Sequence, residues 1–166
     1  MTKVFNERSL DYVERKLGQK EYAWHTSEKL TDFLGAHKVR MDVRSLDPGA
    51  YSFPYHFHHD AEELFVVLSG EMTLRKPEGL VVLHAGDVVF CEVGATGAHQ
   101  FRNHSDAPCR YLDLVTVSSF DMAEYPDTGK VMNAKTRELY RKGEAVGYLD
   151  GEQGVADVWA RLRPAE

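Results

Sequence analysis

The chain has 166 residues, of which 43% are hydrophobic and 28% are charged, as expected for one globular domain and not for a wholly disordered chain. Its 26 acidic residues outnumber its 20 basic ones and give a formal net charge of −6, so the charge balance does not favour nucleic-acid binding. No apolar run could span a bilayer, and the N-terminus lacks the apolar segment of a secretory signal. Cys91 and Cys109 fit neither a disulfide framework nor a zinc motif. We therefore expect a cytoplasmic protein without membrane contacts, its thiols reduced.

Residues 1–35 are predicted to form an N-terminal extension with short helices. Apolar residues recur at helical spacing in two groups: Leu10, Val13 and Leu17, then Leu30, Phe33 and Leu34. Gly35 directly follows the second group and is a plausible helix stop.

Residues 36–118 are predicted to form a β-barrel or sandwich, because short β-prone segments alternate with turn signals. The predicted strands include Val39 to Val43, Leu64 to Leu68, Glu71 to Arg75, Leu80 to Leu83, Val88 to Phe90 and Arg110 to Val117. Asp47-Pro48-Gly49 and Ala85-Gly86-Asp87 are turn signals, and Lys76 to Gly79 is predicted to be a hairpin loop.

Residues 119–166 are more polar and are predicted to form a C-terminal extension that packs on the barrel or on a partner. Helical spacing reappears near its end, in Val155, Val158, Trp159 and Leu162.

The segment that carries chemistry is His56-Phe57-His58-His59-Asp60-Ala61-Glu62-Glu63. Side chains alternate between the faces of a strand, so His56 and His58 are expected to share one face and His59 to point away. A tight turn over residues 60–62 would bring Glu63 opposite the two histidines. Two imidazoles and a carboxylate on one face suit a divalent transition metal with open coordination positions.

His99 is a further candidate ligand, at the start of His99-Gln100-Phe101-Arg102-Asn103. If this segment is a strand beside the first one, His99 would complete a site of three histidines and one glutamate. Three arginines, Arg40, Arg44 and Arg102, are candidates for bidentate binding of an anionic substrate, with surface solvation as the default for each.

Two glycine-rich motifs make the chain resemble the cupin superfamily. The first combines Gly49, His56, His58, Glu63 and Gly70; the second combines Gly86, Gly94, His99 and Asn103. The sequence departs from the pattern at Glu92, where the family has Pro, and in loop lengths before His56 and His99. The sequence around these motifs is similar to that of single-domain bacterial cupins of type 2.

The resemblance implies an all-β, double-stranded β-helix, or jelly-roll barrel, with short helical extensions at both ends. It also implies one divalent metal, Fe, Mn, Zn or Ni, held by His56, His58, Glu63 and His99 near one mouth of the barrel. The alternative is a metal-free hydrogen-bond network of the same four side chains. No catalytic residue beyond these ligands can be assigned from the sequence.

The function expected from this site is that of a metal-dependent enzyme acting on a small oxygen-rich molecule. Isomerase, lyase and dioxygenase chemistry all remain open, because ligand type alone does not fix the metal. The alternative is a non-catalytic module that binds a sugar or an organic acid. By analogy with cupins of this type we expect a homodimer, with the N-terminal extension lying across the partner barrel.

Overall fold

The computed structural model describes residues 2–27, 30–143, 145–151, 153–155 and 157. The strands within these ranges are β1 (Tyr12–Lys16), β2 (Ala23–Ser27), β3 (Val39–Leu46), β4 (Phe57–His58), β5 (Glu63–Ser69), β6 (Glu71–Lys76), β7 (Gly79–His84), β8 (Val88–Cys91), β9 (Gln100–Arg102), β10 (Cys109–Thr116), β11 (Met122–Tyr125), β12 (Lys130–Asn133) and β13 (Leu139–Arg141). The same ranges contain the α-helix α1 (Leu30–Leu34) and 3-10 turns at Glu7–Ser9 and Ala95–Gly97. No helix in these ranges is long and apolar enough to cross a membrane.

The strands form three antiparallel sheets. The largest has the order β1-β2-β3-β10-β5-β8, the second β13-β12-β11-β4, and the third β7-β6-β9. Neighbours in space are often distant in sequence, as in the pairing of β10 with both β3 and β5. These crossovers between facing sheets confirm the predicted double-stranded β-helix.

The core lies between the six-stranded and three-stranded sheets. Burial alternates along β5 and β10, as expected for strands with one face against a core. The largest sheet contributes Phe65, Val67 and Tyr111, and the smaller sheet contributes Met72 and Phe101. The polar residue His99 lies directly against this core, its ring centroid 5.2 Å from that of Phe65.

The predicted barrel strands are confirmed, whereas part of the N-terminal prediction is wrong. Leu10, Val13 and Leu17 do not share a helix, because β1 occupies Tyr12–Lys16 and pairs antiparallel with β2. Pairing to the large sheet outweighs the local helical spacing, and aromatic and β-branched residues such as Tyr12 and Val13 suit a strand. The second helix, α1, forms as predicted and ends at Gly35, whose φ is 62°.

The C-terminal extension, for which helical spacing was found only near its end, contains the strands β11, β12 and β13 in its first part. β11 pairs with β4 and so adds a strand beside the histidine segment. Val155 has a helical assignment, while Val158, Trp159 and Leu162 of the predicted C-terminal helix lie outside the described residues.

Candidate metal centre

Three segments bring the four predicted ligands together. His58 ends β4, and Glu63 begins β5 after the short turn at residues 60–62. His56 forms an isolated antiparallel bridge with His99, just before β9. All four side chains are buried, so the local turn and the cross-strand bridge place them at one end of the barrel interior.

The three histidines lie around the Glu63 carboxylate. Donor atoms of His56, His58 and Glu63 all lie within 4.8 Å of one another. Oε2 of Glu63 lies 3.6 Å from Nε2 of His58 and 3.1 Å from Nε2 of His99. The rings of His56 and His99 have centroids 4.8 Å apart. This is a compact group of imidazole and carboxylate donors of the kind that transition metals bind.

In each of the three histidines, Nδ1 forms a hydrogen bond to a group outside the cluster of predicted ligands. Nδ1 of His56 donates to the carbonyl oxygen of Pro54 over 2.8 Å, and Nδ1 of His99 donates to that of Gly97 over 3.0 Å. Nδ1 of His58 donates to Oδ2 of Asp121 over 2.5 Å. Because these acceptors carry no proton, they fix the tautomer that each ring adopts when it is neutral, and Nε2 is then the lone-pair donor that faces the cluster.

Asp121 is a residue of the site that the sequence did not predict. Its Oδ1 accepts from the backbone N–H groups of Asp60 and Ala61, at 3.0 and 3.3 Å. The same carboxylate thus holds the turn before Glu63 and orients His58. No motif marks Asp121, which lies in a polar segment 63 positions after His58.

Burial and mutual charge set the proton affinities in the cluster. Burial, assisted by the nearby His99 charge, lowers the pKa of His56 to about 3. Burial opposes ionisation of Glu63, but contact with His99 and the other imidazoles outweighs it and lowers the pKa of Glu63 to about 2. Burial also opposes protonation of His99, yet polar contacts with Cys91 and Glu63 raise the pKa of His99 well above 6.5. Glu63 is therefore held as a carboxylate.

One atom tests whether these residues fit a cation. Oε2 of Glu63 is buried and has no hydrogen-bond partner within the described residues. A buried ionised carboxylate needs a compensating charge, and in the metal-free chain that charge comes from His99, whose Nε2 lies 3.1 Å away. A divalent cation among the three Nε2 atoms would supply the same compensation with the imidazoles neutral, and the donor set therefore fits a divalent metal.

A cavity of about 180 Å³ opens beside His56, His58 and Glu63. Arg44 and Asp113 line it and form an ion pair of 2.9 Å. Its further lining residues are Arg40, Phe53, Val115, Tyr125, Met132 and Arg137. Candidate ligands and ionisable groups thus share one small space.

Two groups in this cavity can exchange protons. Burial, together with the negative charge of Glu63, outweighs the opposing charge of Arg44 and raises the pKa of Asp113 to about 6. The ring of Tyr125 stacks on His56 at a centroid distance of 5.8 Å. Burial also raises the pKa of the Tyr125 phenol, so it remains a proton donor near neutral pH.

Other residues singled out in the sequence have different roles. His59 points away from the cluster, as predicted, and lies 3.3 Å from Oε2 of Glu124. Asn103 bonds the carbonyl oxygens of Leu46 and Ala107, so this motif residue stabilises a loop. Arg102 lies over the ring of Tyr51, apart from the residues that line the cavity.

The model of the cupin domain family matches residues 43–115, from within β3 to near the end of β10. The domain that these residues form is of the cupin type. All four predicted ligands lie inside the matched part of the chain, whereas Asp121 and Tyr125 lie beyond it. No match was found among curated proteins.

Solved structures share the cupin fold. A sugar phosphate isomerase of the cupin superfamily from Silicibacter pomeroyi aligns with a TM-score of 0.73 and 22% identity over 88% of this chain and 98% of that one. A polyketide cyclase from Streptomyces resistomycificus aligns with a TM-score of 0.58 and 23% identity over 71% and 81% of the two chains. A protein described as a predicted oxalate decarboxylase from Thermotoga maritima aligns with a TM-score of 0.60 and 19% identity over 70% of this chain and 100% of that one. At these identities the likeness shows the fold alone.

Proposed function

We propose that His56, His58, Glu63 and His99 hold one divalent transition metal and that this cupin is a metal-dependent enzyme acting on a small oxygen-rich molecule. The observation that carries the proposal is the convergence of three imidazoles, each with its Nδ1 engaged elsewhere, on the buried carboxylate of Glu63. Cupins commonly bind a divalent metal. When bound, the ion supplies Lewis-acid polarisation of substrate oxygens if it is manganese, zinc or nickel, and dioxygen chemistry if it is iron.

The chain's own residues favour isomerase or lyase chemistry over the dioxygenase type. Asp113 has a pKa of about 6, close to the value at which a carboxyl group can both take and return a proton near neutral pH. The Tyr125 phenol, whose ring lines the same cavity and stacks on His56, can donate a proton to a developing alkoxide or enolate. Proton transfer next to a carbonyl needs such a pair.

The size of the cavity and the structural neighbours support a small substrate. Its volume of about 180 Å³ is below the range of about 300–1,000 Å³ for sites that bind drug-sized molecules. The names sugar phosphate isomerase, polyketide cyclase and oxalate decarboxylase all refer to oxygen-rich small molecules. They name different reactions, so they support the substrate class and not one reaction.

The second candidate function is a non-catalytic module that binds a sugar or an organic acid. An apolar cavity around the ligands would favour it, whereas Asp113 and Tyr125 place acid–base groups in that cavity. This observation ranks the enzyme first.

Metal content measured by elemental mass spectrometry tests the proposal. The untagged protein, purified without added metal, is compared with His56→Ala/His58→Ala and with His59→Ala as the matched control, since His59 points away from the site. We expect about one equivalent of a transition metal in the wild type and in His59→Ala, and none in the double variant. Absence of metal from the wild type after reconstitution with Fe, Mn, Zn and Ni would overturn the metal proposal and favour the binding module.

We also propose a homodimer in a reducing, cytoplasmic compartment. The edge strands β7 and β8 expose Leu80, Val82, Val88 and Phe90, an apolar surface that a second copy related by twofold symmetry would cover. Cys91 and Cys109 are both buried as free thiols, as suits a reducing compartment. Light scattering that gives a monomer mass at micromolar concentration would contradict the dimer.

A further inference from the structure

Two side chains that line the cavity each carry a buried polar atom without a partner. Nε of Arg44 and Oδ1 of Asp113 have no hydrogen bond within the described residues, although the two side chains pair through other atoms. The first atom is a donor and the second an acceptor. A hydroxyl group both accepts and donates, so it has the chemistry that each of these atoms lacks.

Two further arginines line the cavity on its exposed side. Arg40 lies on β3, and Arg137 lies in the turn between β12 and β13. Both are exposed, and within the described part of the chain no carboxylate forms an ion pair with either guanidinium. Arg44, in contrast, is neutralised by Asp113. The cavity therefore presents two uncompensated positive charges in a chain whose net charge is −6.

The turn that carries Arg137 is tightly held. The side chain of Asn133 accepts from the backbone N–H groups of Lys135 and Thr136 at 2.9 and 3.2 Å. The backbone of Asn133 bonds Arg137 and Glu138 at 2.8 and 3.0 Å. Arg137 has a φ of 63°, the positive value that Gly or Asn adopts more readily. A non-glycine residue held in this conformation at a cavity points to a functional requirement for its side chain.

We infer that the substrate is a hydroxylated anion whose carboxylate or phosphate group is bound by Arg40 and Arg137, while a hydroxyl group is bound by Arg44 and Asp113. Guanidinium groups bind both kinds of oxyanion through paired N–H donors. The inference deepens the proposed function by naming the substrate class. It rests on the proposed function only for the substrate oxygens that the metal would bind. It adds a charge requirement that the three histidines and Glu63 do not impose.

Anion binding to chelator-treated, metal-free protein tests this charge requirement without depending on the metal. Isothermal titration with inorganic phosphate and with acetate distinguishes the two oxyanions, and glycerol 3-phosphate compared with phosphate reports the hydroxyl contact. The variants are Arg40→Ala/Arg137→Ala and, as a matched control, Arg141→Ala, an exposed arginine of β13 outside the cavity lining.

We expect the wild type and Arg141→Ala to bind at least one of the two oxyanions, with the Kd raised about tenfold or more in the double variant. Glycerol 3-phosphate is expected to bind more tightly than phosphate, an advantage that Asp113→Asn removes. Equal Kd values in the wild type and the double variant, or no binding of either oxyanion to the wild type, would overturn the inference. Metal content in the same variants is measured separately, so its loss would count against the metal proposal and not against the anion site.

A second variant distinguishes loss of the anion site from loss of the fold. Arg137→Gly removes the guanidinium and at the same time relieves the positive φ. We expect Arg137→Gly to bind the oxyanion more weakly while its melting temperature equals or exceeds that of the wild type. A variant that melts as high as the wild type and binds as tightly would exclude Arg137 from the anion site.

Discussion

His58 and Asp121 are joined by a hydrogen bond of 2.5 Å from Nδ1 to Oδ2, although 63 positions separate them in the chain. The bond sets the orientation of the imidazole whose Nε2 faces Glu63. Asp121 also bonds the backbone of Asp60 and Ala61, so one carboxylate links a strand of the cupin domain to the segment that follows it. Partners of this kind raise the basicity of a metal-binding imidazole and fix its tautomer.

Replacing Asp121 with Asn is expected to weaken metal binding about 10- to 100-fold, because the neutral amide is a poorer partner for His58. Competition with a chromophoric chelator measures the change. Asp127→Asn is the control, since Asp127 pairs with Arg75 on the surface and its loss should leave metal affinity unchanged. Unaltered affinity in Asp121→Asn would show that His58 needs no such partner.

The pH dependence of stability should carry a contribution from Glu63 in the metal-free protein. Its pKa is lowered from 4.5 to about 2 in the folded state, so the folded chain binds fewer protons than the unfolded one between these values. The stabilisation is present above the unfolded pKa and is lost as the pH falls from about 4.5 towards 2, by at most about 3 kcal/mol. Urea unfolding between pH 6 and 2.5 measures it.

Glu63→Gln removes this titration, so its free energy of unfolding should fall less steeply with acidification than that of the wild type. Other carboxylates titrate in both proteins, and the difference between the two curves isolates Glu63. Parallel curves would mean that Glu63 is not held ionised by its histidine neighbours.

Gly97 is expected to tolerate no side chain. A Cβ there would lie 1.9 Å from the carbonyl oxygen of Glu92, and the Gly97 carbonyl accepts the hydrogen bond from His99. Gly97→Ala should therefore destabilise the fold by about 1–3 kcal/mol and lower metal affinity by moving His99. Gly143→Ala, where no neighbouring atom lies within 4 Å, is the control for both urea unfolding and metal titration. If Gly97→Ala changed neither the free energy of unfolding nor the metal affinity, the backbone at this position would be free to shift.

The ligand cluster was predictable because its geometry is mostly local. Two-residue periodicity places His56 and His58 on one face, and a three-residue turn returns the chain to Glu63. His99 was a candidate ligand only on the condition that its strand lies beside the first one, and the family motif supported it, since the bridge between His56 and His99 spans 43 positions that no local pattern connects. The assignment of these four as metal ligands stays a prediction until metal is measured.

The parts that could not be predicted depend on contacts between distant segments. Three apolar residues at the spacing of Leu10, Val13 and Leu17 also occur by chance outside helices. The segment forms the strand β1 because it pairs with β2. Arg137 reaches the cavity through a turn fixed by Asn133, in a region whose polar composition indicates only a loop. Likewise, no sequence pattern near Asp121 indicates that its carboxylate pairs with His58.

The pairing of β4 with β11 has a consequence for the order of events during synthesis. β4 has only two residues, too few to remain ordered by itself, and its neighbour β11 is made long after it. Closing so long a loop is slow compared with forming a hairpin such as β6–β7. On a ribosome, His56 can therefore bridge His99 first, whereas β4 lacks its neighbour β11, and His58 lacks its partner Asp121, until the end of β11 at Tyr125 has left the exit tunnel.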